Sequence, residues 1–217
     1  MPNLDENLIA ELVSRKVITD TFRRLHPEKK AQIYQTAVSL FGHYGYDGLS
    51  VDRICRDCAI SKGSFFQYFP SKSHLLEFVL LLFDGYVYDW VSEIRIAEKA
   101  VLARKRLGYL YHAIALNSRL FPAEQTFYLF ATRGLQHAGV TIEGIDLERH
   151  FREYIGDIVR RGEETGEIRG DFDIATTAYL VSVLMEGIVA RSFSDKRRST
   201  VHPADHLISF LFDGIKA

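Results

Sequence analysis

Residues 55–72 read CRDCAISKGSFFQYFPSK, with four aromatic rings in the five positions 65–69, directly after a Ser-Lys-Gly-Ser start. A buried helix carries aromatics, but it rarely opens so polar and stops so soon at a proline such as Pro70. Helical periodicity sorts the rings. Positions 65 and 69 lie one turn apart, so Phe65 and Phe69 share an inward side with Cys58 and with Ile60 from the turn. Lys62, Ser64, Phe66, Gln67 and Tyr68 fall mainly outside that stripe. Ser61 is placed to cap the helix that ends at Phe69, and Ser50 to cap a shorter one over Val51–Cys58.

Two short helices joined by a tight turn are the outline of a helix-turn-helix. A helix that enters a DNA groove needs short polar residues at its N-terminus for base edges and flanking groups for phosphates. Gly63 removes bulk where the helix would approach the groove floor. Lys62 has the reach for guanine acceptors and Gln67 for an adenine edge, while Lys72 sits just past the helix, where an ammonium meets a phosphate. A Ser-capped, aromatic-rich helix of this length also suits plain core packing, and spacing alone does not choose between the two.

Outward from this pair the chain reads all-α. It has only five prolines, little strand-like alternation, and apolar residues at three- and four-residue spacings almost throughout. A first helix is expected over about 4–22. A second starts with Pro27 at its first position and Glu28 in its first turn, and turns Ile33, Ala37, Leu40 and Phe41 inward. GHYGYDGLS breaks it, with Gly42, Gly45 and Gly48 expected in turns. Ser71 caps a long helix through Trp90, followed by helices at about 101–118, 122–137, 145–165, 174–192 and 203–216. This divides the chain into an N-terminal helical extension (1–25), a helix-turn-helix domain (26–75, motif 50–69) and a larger helical domain (76–217), with the boundary inside the long helix.

Composition narrows the function classes. The 217 residues are 47% hydrophobic and 25% charged, the balance of a soluble chain with a sizeable core. The net charge of −1 provides no global basic field, so any nucleic-acid partner must be met by a local patch. Phosphate affinity should then come from few contacts and fade with salt. Two cysteines make no disulfide framework. The first residues lack a signal peptide's basic and apolar segments, and the most apolar stretch, 74–91, is interrupted by Glu77 and Asp84. A cytoplasmic protein without a membrane span is expected.

The stretch from about 26 to 87, through AVSLFGHYGYDGLSVDRICRDCAISKGSFFQYFPSKSHLL, resembles the DNA-binding domain of TetR-type transcriptional regulators. The resemblance implies a three-helix N-terminal domain followed by a helical ligand-binding and dimerisation domain. It places the helix-turn-helix on Ser50–Phe69. Ser50 falls on the capping residue that touches phosphate, Lys62, Gly63, Ser64 and Gln67 on groove-facing positions, Tyr68 on a backbone-contacting ring, and Lys72 on a phosphate-binding lysine. With Arg53 and Phe66, the expected DNA-facing set is Ser50, Arg53, Lys62, Gly63, Ser64, Phe66, Gln67, Tyr68 and Lys72. Two positions depart from the family pattern. Phe66 stands for the usual tyrosine and so offers a thymine methyl a partner instead of a phosphate a hydroxyl. Ala59 stands for the usual turn glycine, where a left-handed backbone would cost about 1 kcal/mol more for alanine.

Other features carry alternatives. Cys55 and Cys58 form a CxxC whose readings are core packing under the recognition helix, a thiol switch, or a metal site that would need two further ligands. No metal and no cofactor is expected. The extension either packs on the domain or lays Arg23 and Arg24 beside a minor groove. In the larger domain Tyr86, Trp90, His112, Phe130, Arg133 and His137 are candidate contacts for a largely apolar small-molecule effector, with Arg133 able to meet a carboxylate or phosphate. The helices at 174–192 and 203–216 are apolar around most of their circumference, which suits a homodimer interface or an intramolecular core; Glu186 must then find a rim or a partner. No nucleophile–base pair, carboxylate dyad or metal cluster with persuasive spacing argues for an enzyme. The expected function is a homodimeric repressor of transcription, held on a palindromic double-stranded DNA operator and released by an effector. The rival is an all-helical carrier or interaction module whose helix-turn-helix no longer binds DNA.

Overall fold

A computed structural model describes residues 6–97, 102–135, 142, 144–171, 173–194 and 203–213. Among the described residues all regular elements are helices. They are α1 (Glu6–Ser14), α2 (Asp20–Arg23), α3 (Pro27–Tyr44), α4 (Val51–Asp57), α5 (Lys62–Tyr68), α6 (Lys72–Ala97), α7 (Ala103–Leu120), α8 (Pro122–Leu129), a π-helical turn (Phe130–Gly134), α9 (Arg149–Glu164), α10 (Ile174–Ser194) and α11 (Pro203–Asp213). The chain forms two compact units. One comprises Met1–Tyr88 with Ala123–Leu147, and the other Asp89–Pro122 with Glu148–Ala217.

The first unit is built around aromatic rings. Phe22 of α2 meets Phe69 at 4.9 Å and Phe78 of α6 at 5.0 Å between ring centroids, and Phe69 meets Phe78 at 5.6 Å and Phe65 at 5.8 Å. All four rings are fully buried. α3 begins with Pro27 at its first position and buries Ile33, Ala37, Leu40 and Phe41, as its periodicity predicts.

The expected single helix over 4–22 is two helices. α1 stops at Ser14 because Lys16 takes a left-handed backbone (φ 61°), and Val17 and Lys16 turn their N–H groups back to the carbonyls of Leu12 and Val13. This is the bonding of a Schellman cap, with lysine where glycine is usual. The same motif closes α4. Ala59 has φ 51°, Ile60 N–H reaches Cys55 O at 2.9 Å and Ala59 N–H reaches Arg56 O at 3.2 Å. The left-handed turn that the family pattern implies is therefore made here by alanine. Ala59→Gly relieves the Cβ penalty but frees the unfolded chain, and should raise stability by about 0.5–1 kcal/mol in a denaturant titration; a loss instead would place the strain elsewhere.

Gly42 is not in a turn, because α3 runs through it to Tyr44. A Cβ at Gly42 would stand 2.9 Å from Phe127 N and 3.2 Å from Phe127 Cα, so this glycine lets the backbone of α8 lie directly on α3. Beside it the rings of Phe41 and Phe130 stack at 6.2 Å, nearly parallel. The helix expected over 122–137 is α-helical only to Leu129 and continues as the π turn, and the one expected over 145–165 begins at Arg149.

In the second unit α9 packs its apolar face, including Phe151, Tyr154, Ile155, Ile158 and Val159, into the core. α7 lacks a capping side chain of its own at Leu102. The Glu167 carboxylate takes that place, accepting from Ala103 N at 2.6 Å and Arg104 N at 2.9 Å, where an anion also suits the helix dipole. Arg104 in turn forks onto Asp213 with two bonds of 2.9 Å, tying α11 to α7. α10 turns Ala178, Val181, Ser182 and Met185 inward and leaves Tyr179, Leu180, Val183 and Leu184 exposed, with Phe210 exposed on α11. No described helix is long and apolar enough to cross a membrane.

Candidate nucleic-acid interface

The surface around α5 is assembled from caps. Ser50 Oγ accepts from Arg53 N at 3.2 Å and starts α4; Ser61 Oγ accepts from Ser64 N at 2.9 Å and starts α5. Each hydroxyl satisfies one of the free N–H groups that a helix start leaves. Between them the turn buries Cys58 and half-buries Ile60. Phe65 and Phe69 enter the core, and Phe66 is 49% exposed, leaning edge-on against Phe65 at 5.2 Å. Lys62, Gly63, Phe66 and Gln67 are exposed and Ser64 half-buried, so α5 presents one polar face ended by a free phenyl ring. Around Gly63 a Cβ would meet only Ser61 Oγ, at 3.7 Å. Open space in front of the helix is what this glycine provides.

The charged members of the expected set are already engaged. Lys62 Nζ lies 2.9 Å from Asp52 of α4, and hydrogen bonding to that carboxylate holds the ammonium above its ordinary pKa. Arg53 lays its guanidinium over the Tyr44 ring at 3.9 Å, with Asp57 3.8 Å away. Lys72 donates to the carbonyls of Tyr46 (2.6 Å) and Leu49 (2.9 Å) and sits 4.1 Å from the Tyr46 ring centroid, bracing the loop before α4. Tyr68 is half-buried, its ring edge-on to Phe22 at 6.0 Å. α5 and the start of α4 thus bring together Ser50, Arg53, Lys62, Gly63, Ser64, Phe66 and Gln67, while Lys72 and the Tyr68 ring turn toward the protein.

Two residues at this site carry no mark in the sequence. Lys29 of α3 donates to Cys58 O at 2.9 Å, Ala59 O at 3.3 Å and Gln32 Oε1 at 2.9 Å, holding the carbonyls that end α4. Thr19 donates its hydroxyl to Gln67 O at 2.5 Å and its N–H to Tyr68 O at 3.1 Å. Cys55 and Cys58 are buried free thiols; burial pushes Cys58 up to about 11 and raises Cys55 as well. A thiol so raised carries little thiolate at neutral pH, and thiolate is the reactive form.

The effector candidates do not form one cluster. Tyr86 and Phe130 join the ring group of the first unit through Phe83 (5.7 Å from Tyr86) and Phe127 (5.9 Å from Phe130), and Arg133 is exposed in that unit. Trp90 and His112 belong to the second, where Trp90 meets Phe151 at 5.8 Å and His112 is exposed beside Tyr111. His137 lies outside the described residues. The second unit also holds a cleft of about 630 Å³ that none of the six lines; its lining mixes Arg95, Arg152, Arg160 and Asp157 with Ile174 and Ala178.

Comparisons with known proteins find similarity over the elements that carry this surface. Residues 33–79 match the family model described as bacterial regulatory proteins, tetR family. Over 89 residues the chain is 47% identical to the HTH-type transcriptional regulator YuxN of Bacillus subtilis, a match that covers 40% of this chain and 31% of that protein. The chain therefore spans only about a third of that relative's length. Over 162 residues it is 22% identical to the HTH-type transcriptional regulator UidR of Escherichia coli, covering 74% of this chain and 80% of that one. The fold matches that of the transcriptional regulator FadR from Bacillus subtilis, solved in complex with stearoyl-CoA, with a TM-score of 0.64 at 17% identity, covering 86% of this chain and all of that chain. The match to the tetR family model thus falls on α3, α4, α5 and the start of α6, the elements that build the surface around α5.

Proposed function

We propose that the protein is a homodimeric, ligand-responsive repressor that binds a near-palindromic DNA operator through α5 and acts in the cytoplasm. The polar face of α5 carries this reading: Lys62, Gly63, Ser64 and Gln67 stand outward on a helix whose other side is locked by Phe65 and Phe69. Lys62 and Gln67 read base edges, Ser50 meets a phosphate, and Phe66 packs on a thymine methyl. The exposed apolar residues Tyr179, Leu180, Val183, Leu184 and Phe210 support a dimer through α10 and α11, since a monomer seldom leaves such a patch in water. A dimer can set two copies of α5 one DNA turn apart, about 34–36 Å. The cleft in the second unit has the size of a small-molecule site, which supports an effector there. An effector releases DNA only by favouring a dimer whose two α5 helices no longer fit both half-sites.

Selection of genomic duplexes on the purified protein, followed by sequencing of what is retained, tests this directly. An enriched inverted repeat is the expected result; no enrichment from a folded dimer would favour the carrier or interaction module. On the selected duplex, Lys62→Ala and Gln67→Ala should each weaken binding by about ten- to a hundredfold without changing the melting temperature. Both side chains are exposed, whereas an alanine at Tyr68 would also remove a packed ring. Unchanged affinity in both variants removes α5 as the reading surface.

A further inference from the structure

The extension before α3 ends against the recognition helix. At residue 19 one side chain serves two helix ends. Thr19 Oγ1 accepts from Phe22 N at 3.3 Å, capping α2, and donates its proton to Gln67 O at 2.5 Å. The Thr19 N–H donates to Tyr68 O at 3.1 Å. Gln67 and Tyr68 are the last two residues of α5, and a helix leaves its final carbonyls without intrahelical partners. Those carbonyls are satisfied here by a residue 48 and 49 positions earlier in the chain.

The contact is anchored on both sides. Phe22, one turn after Thr19, is fully buried against Phe69 and Phe78. Val17 and Ile18 immediately before it are both 1% exposed, and Arg15 pairs with Glu77 of α6 at 3.3 Å. Thr19 itself is held in an extended backbone between these anchors (φ −100°, ψ 165°). The other end of α5 is fixed by Ser61, so the seven-residue helix is bonded at both ends and packed along one side. Without Thr19 the C-terminal turn, which carries Gln67, would have water as its partner and be free to fray.

We propose that Thr19 is a positioning residue for DNA recognition: through the Gln67 and Tyr68 carbonyls it fixes the C-terminal turn of α5 and thereby the aim of the Gln67 side chain at its base. This rests on the DNA-binding reading above. Thr19 acts from behind α5 and carries no charge, so it governs sequence discrimination and not general affinity for phosphate, which comes from charge.

The test uses the full chain, the duplex recovered by selection, and a shuffled duplex of the same composition. Thr19→Val keeps shape and removes the hydroxyl; Thr19→Ser restores it. Thr19→Val should weaken the selected duplex by about five- to tenfold, the loss of one satisfied carbonyl bond. Binding to the shuffled duplex should stay within about twofold, and Thr19→Ser should recover most of the loss. Amide exchange at Phe66–Phe69 should quicken in the valine variant alone. Valine binding the selected duplex like the parent would overturn the inference, as would equal losses on both duplexes or a serine variant as weak as valine. If the parent itself prefers no duplex, the DNA-binding reading fails first and this inference falls with it.

Discussion

Phe69→Ala is expected to lower the melting temperature by about 6–20 °C, the result of losing about 3–5 kcal/mol in a chain of this size. Phe69 is fully buried and is the meeting point of three other rings, Phe22 from the extension, Phe65 from α5 and Phe78 from α6. Alanine would leave a cavity lined by rigid rings, which collapse poorly into the space. Because those rings come from three separate elements, the loss should also release α2 and α5 from α6, and DNA binding should disappear at temperatures where the variant still keeps most of its helix. Phe66→Ala, three residues away, is the control. Its ring is 49% exposed, so stability should change by no more than about 0.5 kcal/mol while DNA affinity falls. Circular dichroism melts of the two variants decide the matter, and equal melting temperatures would mean that the inward and outward rings have been assigned wrongly.

Gly42→Ala should destabilise the first unit by about 1–3 kcal/mol, against the usual preference for alanine in a helix. The added Cβ would stand 2.9 Å from Phe127 N and 3.2 Å from Phe127 Cα and from Thr126 C. All three are main-chain atoms, so no change of side-chain rotamer can make room. Either α8 lifts from α3 or α3 bends. Gly85 of α6 provides the comparison, because a Cβ there meets nothing within 4 Å. Gly85→Ala should gain about 0.5–1 kcal/mol from helix propensity alone. Chemical denaturation of both variants gives opposite signs if the approach of α8 to α3 is real, and gains at both positions would deny it.

The helix starts and the inward and outward rings around α5 were legible because they are local. Ser50 and Ser61 cap helices that begin immediately after them, and the alternation of Phe65, Phe66 and Phe69 is fixed by 3.6 residues per turn. The features that escaped are joined across the chain. Thr19 and Lys29 act through backbone carbonyls 48 and 29–30 residues distant, and a carbonyl has no residue identity for a sequence to display. The break at Lys16 escaped because its Schellman turn uses lysine, which announces no helix end as glycine would. Gly42 did announce itself, but as a turn; its use as a flat seat for another helix depends on Phe127, whose approach only the folded chain defines. In the second unit α7 is capped by Glu167, so even its start depends on a residue 64 positions later.

The lysines around the turn have one more consequence. Lys29 and Lys72 point their ammonium groups at carbonyls of their own domain, and Lys62 faces Asp52. On the proposed DNA-binding reading, ammonium groups held in this way would add little to the grip on DNA of arbitrary sequence, and visits to a wrong duplex would be brief.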